Sequence, residues 1–250
     1  MPASVHLDRG QGPIVVLLHG VGVGPESFAK VAELLEDNHR VIVLERPDGG
    51  GSVGLLDRNA DHIASTIEEL GAVGCRIVGV SGGATLGILI AQRHPHLATG
   101  YLLHEPLVGP LAPALHQRFQ ASAASAAASR LATMDVVRAV MGEATWAALG
   151  PDRQAASTAQ AARWQTEIAA FAAFDPSATS LTDLARVPLV ASVGGRSGPE
   201  RHEAASVLQQ LANADLAVVP DAGNAVQLDQ PAAFARLIAT GHVASVGSPS

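Results

Sequence analysis

The sequence predicts an α/β fold: a mostly parallel sheet with helices on both faces, interrupted by one long helical insertion. Three observations predict it. Short continuous apolar runs recur at 14–18, 76–80 and 188–193, as strands buried on both faces require. Stretches with helical spacing alternate with those runs through short links, the pattern of a parallel sheet. Between about 107 and 182 the β-branched runs vanish and helix formers take over.

Composition bounds the rest. A chain of 250 residues suits one α/β domain with an insertion as well as two small domains. It is 48% hydrophobic and 16% charged, a globular rather than a disordered balance. A net charge of −7, with Lys30 the only lysine and no basic run, argues against a nucleic-acid or anionic-membrane partner. The single cysteine, Cys75, excludes an intrachain disulfide and a cysteine-based zinc site. At the start of an apolar run, it is expected to pack rather than react. The first residues show no charged-then-apolar signal, and no apolar run approaches about 18 residues, so the expected setting is cytoplasmic.

In chain order, residues 1–13 read as a short strand and a turn, and 14–18 as the first buried strand. His19-Gly20-Val21-Gly22-Val23-Gly24-Pro25 follows as a glycine-rich turn. Residues 26–38 place Phe28, Val31, Leu34 and Leu35 at helical spacing. A strand at 40–44 leads into the loop Glu45-Arg46-Pro47-Asp48-Gly49-Gly50-Gly51-Ser52. Residues 57–70 form a helix with Ile63, Ile67 and Leu70 inward and Glu68 and Glu69 toward solvent. Strand 76–80, a turn at Ser81 and helix 82–94 make one unit, stopped by Pro95, and 100–104 is a further strand closed by Glu105-Pro106.

In the insertion, Trp146, Trp164, Phe171 and Phe174 concentrate the aromatics, with helix packing favoured over a pocket lining. The strand–helix rhythm returns with strand 188–193, loop 194–200, helix 201–212 and strand 216–219. A helix from Pro231 buries Phe234, Leu237 and Ile238, and the tail 244–250 reads as frayed.

The chemistry gathers at Gly79-Val80-Ser81-Gly82-Gly83, between a strand and a helix. A serine on such a turn presents its hydroxyl, and flanking glycines let the backbone bend that sharply. The string alone selects little, because Gly50-Gly51-Ser52-Val53-Gly54 also matches it. No strand runs into that second match and no apolar helix is expected to leave it, so context selects Ser81.

With these residues the chain resembles the α/β-hydrolase superfamily over nearly its whole length. The resemblance rests on His19-Gly20 after the first buried strand, on the Ser81 motif, and on the closing phrase from Pro220-Asp221-Ala222-Gly223-Asn224 to Asp229-Gln230-Pro231. It implies a core of residues 1–106 and 183–250 around a helical cap at 107–182. It also implies acyl transfer by Ser81, with the N–H groups of Val21 and Gly82 stabilising the oxyanion. No metal or organic cofactor is implied, and the expected partner is a small-molecule substrate.

The chain departs from the family pattern at the general base. Where the closing phrase of the family reads Gly-His, this sequence reads Gly223-Asn224. An amide does not titrate near neutrality, so Asn224 cannot take the serine proton, although it can hydrogen-bond Ser81 or a ligand. Loss of the histidine alone costs another serine hydrolase about 10⁶ in turnover. The acid is displaced too. The loop after strand 188–193 carries Ser197 near the usual place of the acid, with Glu200 expected as an exposed residue at a helix start. Glu105, one strand earlier, is the candidate orienter, and a purely local hydrogen-bonding role for it is equally open.

Among possible replacement bases, His19 and His104 are the least implausible. His19 belongs to the turn motif, and alternation along the strand is expected to aim His104 and Glu105 at opposite faces. His94 and His96 end a helix, where a protonated imidazole suits the dipole, and His202 and His242 look exposed. The expectation is therefore serine-dependent hydrolysis of a small ester, thioester or related carbonyl compound, with a triad impaired at Asn224. Three alternatives stay open: non-hydrolytic lyase, isomerase or cyclisation chemistry, a non-catalytic binding relative, and an engineered inactive variant.

Overall fold

A computed structural model describes residues 3–47 and 51–241. Asp48, Gly49 and Gly50 of the glycine-rich loop, His242 and the tail 244–250 lie outside the described residues.

The strands are β1 (Ser4–Arg9), β2 (Ile14–Leu18), β3 (Arg40–Glu45), β4 (Cys75–Val80), β5 (Ala98–His104), β6 (Leu189–Gly194) and β7 (Asp215–Val219). They form one sheet in the order β1-β3-β2-β4-β5-β6-β7. β1 runs antiparallel to β3, and every other pairing is parallel. Strand alternation divides the apolar runs between two cores. Val15, Leu17, Val41 and Val43 face one side with Phe28, Val31 and Phe234, while Val16, Leu18, Ile42 and Leu44 face the other with Ile63 and Ile67.

The helices of the sheet domain are α1 (Ala29–Leu35), α2 (Leu55–Glu69) and α3 (Gly82–Arg93). Six more follow β5: α4 (Pro113–Ala126), α5 (Arg130–Met141), α6 (Glu143–Ala148), α7 (Gly150–Ala159), α8 (Ala161–Ala172) and α9 (Ala178–Thr182). The chain closes with α10 (Pro199–Leu211), α11 (Val226–Asp229) and α12 (Pro231–Thr240). All six helices of the insertion lie between β5 and β6 in sequence. α8 is its central element, packed on α4, α5 and α2, and it buries Trp164 and Phe171.

Several local expectations need correction. Leu34 is 43% exposed. The buried set is Phe28, Val31, Ala32 and Leu35, one face of a 3.6-residue period, and position 34 falls off that face. A helix does leave the second glycine–serine match, because Gly54 takes a φ of 65° and caps α2 at Leu55. His202 is half-buried rather than exposed. Glu200 begins α10 as expected, but its side chain is only 13% exposed and pairs with Arg118 of α4. Cys75 is buried in β4, and burial pushes its thiol up to about 12. No helix among the described residues is long and apolar enough to cross a membrane.

Candidate active site

Ser81 stands between the last residue of β4 and the first of α3, with φ 53° and ψ −117°. An L-residue reaches that conformation only under constraint. The constraint is visible: the Ser81 N–H donates to the His104 carbonyl at 2.8 Å, and the Ser81 carbonyl accepts from the Thr85 N–H at 3.0 Å. Behind the turn the backbones touch. A Cβ on Gly83 would meet the Leu18 carbonyl, and one on Gly79 would meet the backbone of Gly83 and Ala84. Gly83 thus answers to close packing of the turn on β2 and Gly79 to packing of β4 on the start of α3, which together fix where the hydroxyl points.

The Ser81 Oγ makes no hydrogen bond to any described residue. It faces an apolar niche walled by Val21, Phe119, Val137, Ile168 and Phe171, with about 10 Å³ of free volume, roughly one water. The aromatic insertion therefore does two things. Trp164 is fully buried, with its Nε1–H on the Ser157 carbonyl, while Phe171 packs against Gly82 and lines the niche. Val21 and Gly82 border this niche, and neither N–H donates to another described residue.

Glu105 is held on every side. Its Oε1 accepts from the Gly194 N–H at 3.0 Å and from the Ser197 hydroxyl, and its Oε2 accepts from Asn224 Nδ2 at 2.9 Å. The buried Arg201 lies 3.7 Å from Oε2. Burial opposes ionisation, but His104, Arg201 and the bonds from Ser197 and Asn224 outweigh it and hold the carboxyl below its usual range. Ser197 therefore occupies the loop where an acid was sought and donates to the glutamate from the preceding strand.

The expectation that His104 and Glu105 face apart is wrong. Glu105 leaves β5 with φ 50°, which breaks the pleat, and its Oε1 comes 3.7 Å from His104 Nε2. His104 is nonetheless fully committed, with Nδ1 on the Ser192 hydroxyl at 3.0 Å and Nε2 on the Gly223 carbonyl at 3.1 Å. Burial lowers its pKa and keeps it neutral. His19 is fully buried and turns Nε2 to Glu45 at 3.2 Å. His94 and His96 pair with Asp61 and Glu68. No described histidine hydrogen-bonds to Ser81, nor does Asn224.

The loop carrying Asn224 is anchored by Asp229, which accepts the Gly223 N–H at 2.8 Å, the Thr145 hydroxyl at 2.6 Å and Arg196 at 2.9 Å. A cavity of about 400 Å³ opens beside it, lined by Glu105, Arg118, Thr145, Ser197, Arg201 and Asn224. Phe119 and Val140 wall both this polar cavity and the apolar niche at Ser81. Arg118, Arg201 and Thr145 carried no signal in the sequence, because isolated polar residues in helices look like ordinary solvated positions. Among the described residues no group of three His, Cys, Asp or Glu side chains could hold a metal ion.

Comparison with known proteins follows the same outline. A family model described as the Alpha/beta hydrolase family matches residues 15–237. A pimeloyl-[acyl-carrier protein] methyl ester esterase from Chromobacterium violaceum is 37% identical over 86 residues, 34% of this chain and 34% of the relative. That match spans about a third of the relative's length. Among solved structures, the enol-lactonase from Burkholderia xenovorans superposes with a TM-score of 0.76 at 17% identity, over 95% of each chain. A thermophilic esterase from Thermogutta terrifontis gives 0.74 at 19% identity, over 95% of this chain and 91% of that one. At such identities the structural likeness speaks for the fold.

Proposed function

The chain belongs to the alpha/beta hydrolase family, and on that footing we propose that it is a serine-dependent hydrolase of a small ester, thioester or related carbonyl substrate, impaired because Asn224 stands where the general base belongs. One observation carries the reading: a constrained serine whose free hydroxyl shares an apolar niche with two undonated N–H groups. In this reading Ser81 Oγ attacks the carbonyl carbon, and Val21 and Gly82 receive the developing oxyanion. The helices of 107–182 act as a cap that excludes water from the niche. Glu105 orients whatever side chain sits at 224. The relative named above as a methyl ester esterase favours an ester as substrate.

The division of the site suggests how a substrate lies. A polar leaving group suits the larger cavity beside Asn224, while the niche at Ser81, with room for about one water, takes an acyl group only when its apolar walls give way.

One observation favours a second reading. Asn224 spends its amide on Glu105, and no described histidine reaches Ser81, so the same pocket supports binding, or polarisation of a carbonyl without hydrolysis. The test compares the native chain with Asn224→His, by hydrolysis of a short activated ester and by covalent labelling of Ser81 with a fluorophosphonate. A gain in both on restoring histidine supports the hydrolase. Strong native labelling with no gain points to another base, and no labelling in either form overturns acyl transfer.

A further inference from the structure

Under the turn that carries Val21 lies a buried ionic cluster joining the ends of β2 and β3 to α8. Arg46 Nη2 donates to the Gly20 carbonyl at 2.9 Å and to Glu167 Oε2 at 2.9 Å. Arg163 donates to Glu167 Oε1 at 3.0 Å and to Glu45 Oε1 at 2.7 Å. Arg46 is 1% exposed and Glu167 3%. The arrangement is costly. Arg46 Nε and Nη1 are buried with no hydrogen-bond partner among the described residues, and a buried ion pair is often no more stabilising than apolar groups of the same size. Stability alone gives little reason for a cation here.

The Gly20 carbonyl gives a better one. It belongs to the same peptide unit as the Val21 N–H, and in a trans peptide the two point in opposite directions. Pulling the oxygen toward Arg46 turns the N–H the other way, away from the cluster. Gly20 itself lies against Ser81, since a Cβ there would sit 3.2 Å from Ser81 Cβ. His19 Nδ1 is also 2.9 Å from the Gly20 oxygen. Burial and Arg46 lower the His19 pKa and keep the ring neutral. A neutral ring carries one proton, shared between the Gly20 carbonyl and Glu45 according to tautomer, and Arg46 donates to Gly20 in either one. On the far side of Val21, the Ser157 hydroxyl of α7 donates to the Gly22 carbonyl at 2.7 Å. Both carbonyls that flank Val21 are thereby tied down, the second directly to the insertion and the first to a cation that the insertion holds.

We infer that Arg46 is a positioning residue: its charge-assisted bond to the Gly20 carbonyl orients and polarises the Val21 N–H toward Ser81, and Glu167 of α8 holds Arg46 in place. This rests on the hydrolase reading for its consequence, though the peptide orientation can be read without any reaction. It makes the insertion part of the site's electrostatics as well as its roof.

The test uses the full chain with Arg46→Met plus Glu167→Met, which removes the pair together and leaves no unpaired buried charge, and with Arg46→Lys, which keeps a cation. Two readouts are taken: the ¹⁵N resonances of Val21 and Gly82, and the rate of Ser81 labelling by a fluorophosphonate in the native and Asn224→His backgrounds. The inference expects the Val21 resonance to move in the double variant while Gly82 stays. It also expects labelling to slow about ten- to a hundredfold, with part of both effects restored in Arg46→Lys. An unmoved Val21 resonance overturns it, and so does a moved resonance with unchanged labelling. Should neither background label at all while Val21 still moves, the hydrolase reading falls and the hold of Arg46 on the peptide stands. If the double variant fails to fold, Arg46→Lys decides: a Val21 resonance that moves while Gly82 stays, with slower labelling, supports the inference, and both readouts unchanged overturn it.

Discussion

Asn224 donates its amide to Glu105 Oε2 across 2.9 Å, the bond by which a carboxylate orients an imidazole in a serine triad. The two residues are 119 positions apart. Their meeting joins the end of β5 to the loop after β7, and it sets the geometry in which position 224 can be tested.

Asn224→His places an imidazole where Glu105 already accepts a hydrogen bond. Ester turnover and fluorophosphonate labelling of Ser81 should both rise, by about 10³-fold or more, given what loss of that base costs elsewhere. Adding Glu105→Gln should remove most of the gain, because an amide no longer stabilises the imidazolium.

Glu105 also makes a pH signature. Its carboxyl is held below the ordinary value of 4.5 in the folded chain. The stability it contributes is present above that ordinary value and is lost as pH falls through the folded pKa. Thermal melts of the native chain should therefore lose Tm on acidification below about 4.5. Glu105→Gln should be less stable at neutral pH and fall less steeply across the same window.

Ser81→Gly should stabilise the fold by about 1 kcal/mol, since glycine adopts the turn's positive φ without steric cost and gives back part of that gain in chain entropy. Denaturant melts measure it. Stabilisation together with complete loss of labelling would identify strain kept for a purpose, whereas destabilisation would show the conformation to be unstrained.

Gly83→Ala and Gly82→Ala should differ in cost. The Cβ at 83 meets the Leu18 carbonyl, a backbone atom inside the sheet, whereas the Cβ at 82 meets the Phe171 ring at 2.7 Å. A ring can tilt and a sheet carbonyl cannot. Gly83→Ala should lose about 3 kcal/mol in urea melts and Gly82→Ala nearer 1, the latter with a narrower niche and slower labelling.

Much of the architecture was written in the sequence because burial on both faces leaves a continuous apolar signature. The runs at 14–18 and 76–80 needed nothing but length and composition to be read as strands, and Ser81 was singled out by the strand before it and the helix after it. Leu34 is apolar yet exposed because Phe28, Val31, Ala32 and Leu35 already complete the buried face, and apolar character alone does not separate Leu34 from Ala32. Glu105 is legible as the residue that ends a strand, yet its direction depends on one positive φ, which no alternation rule contains.

What the sequence by itself determined is therefore the local grammar: strand, turn, serine and helix. Only the tertiary structure decided that Glu105 reaches Asn224 while no described histidine hydrogen-bonds to Ser81. It alone brought Arg46 to Glu167 across 121 positions beneath the peptide of Val21. Backbone hydrogen bonds and apolar periodicity are set by neighbours along the chain, and so they leave a pattern in it. Contacts between polar side chains from distant elements follow from how whole layers pack, and no local pattern encodes them.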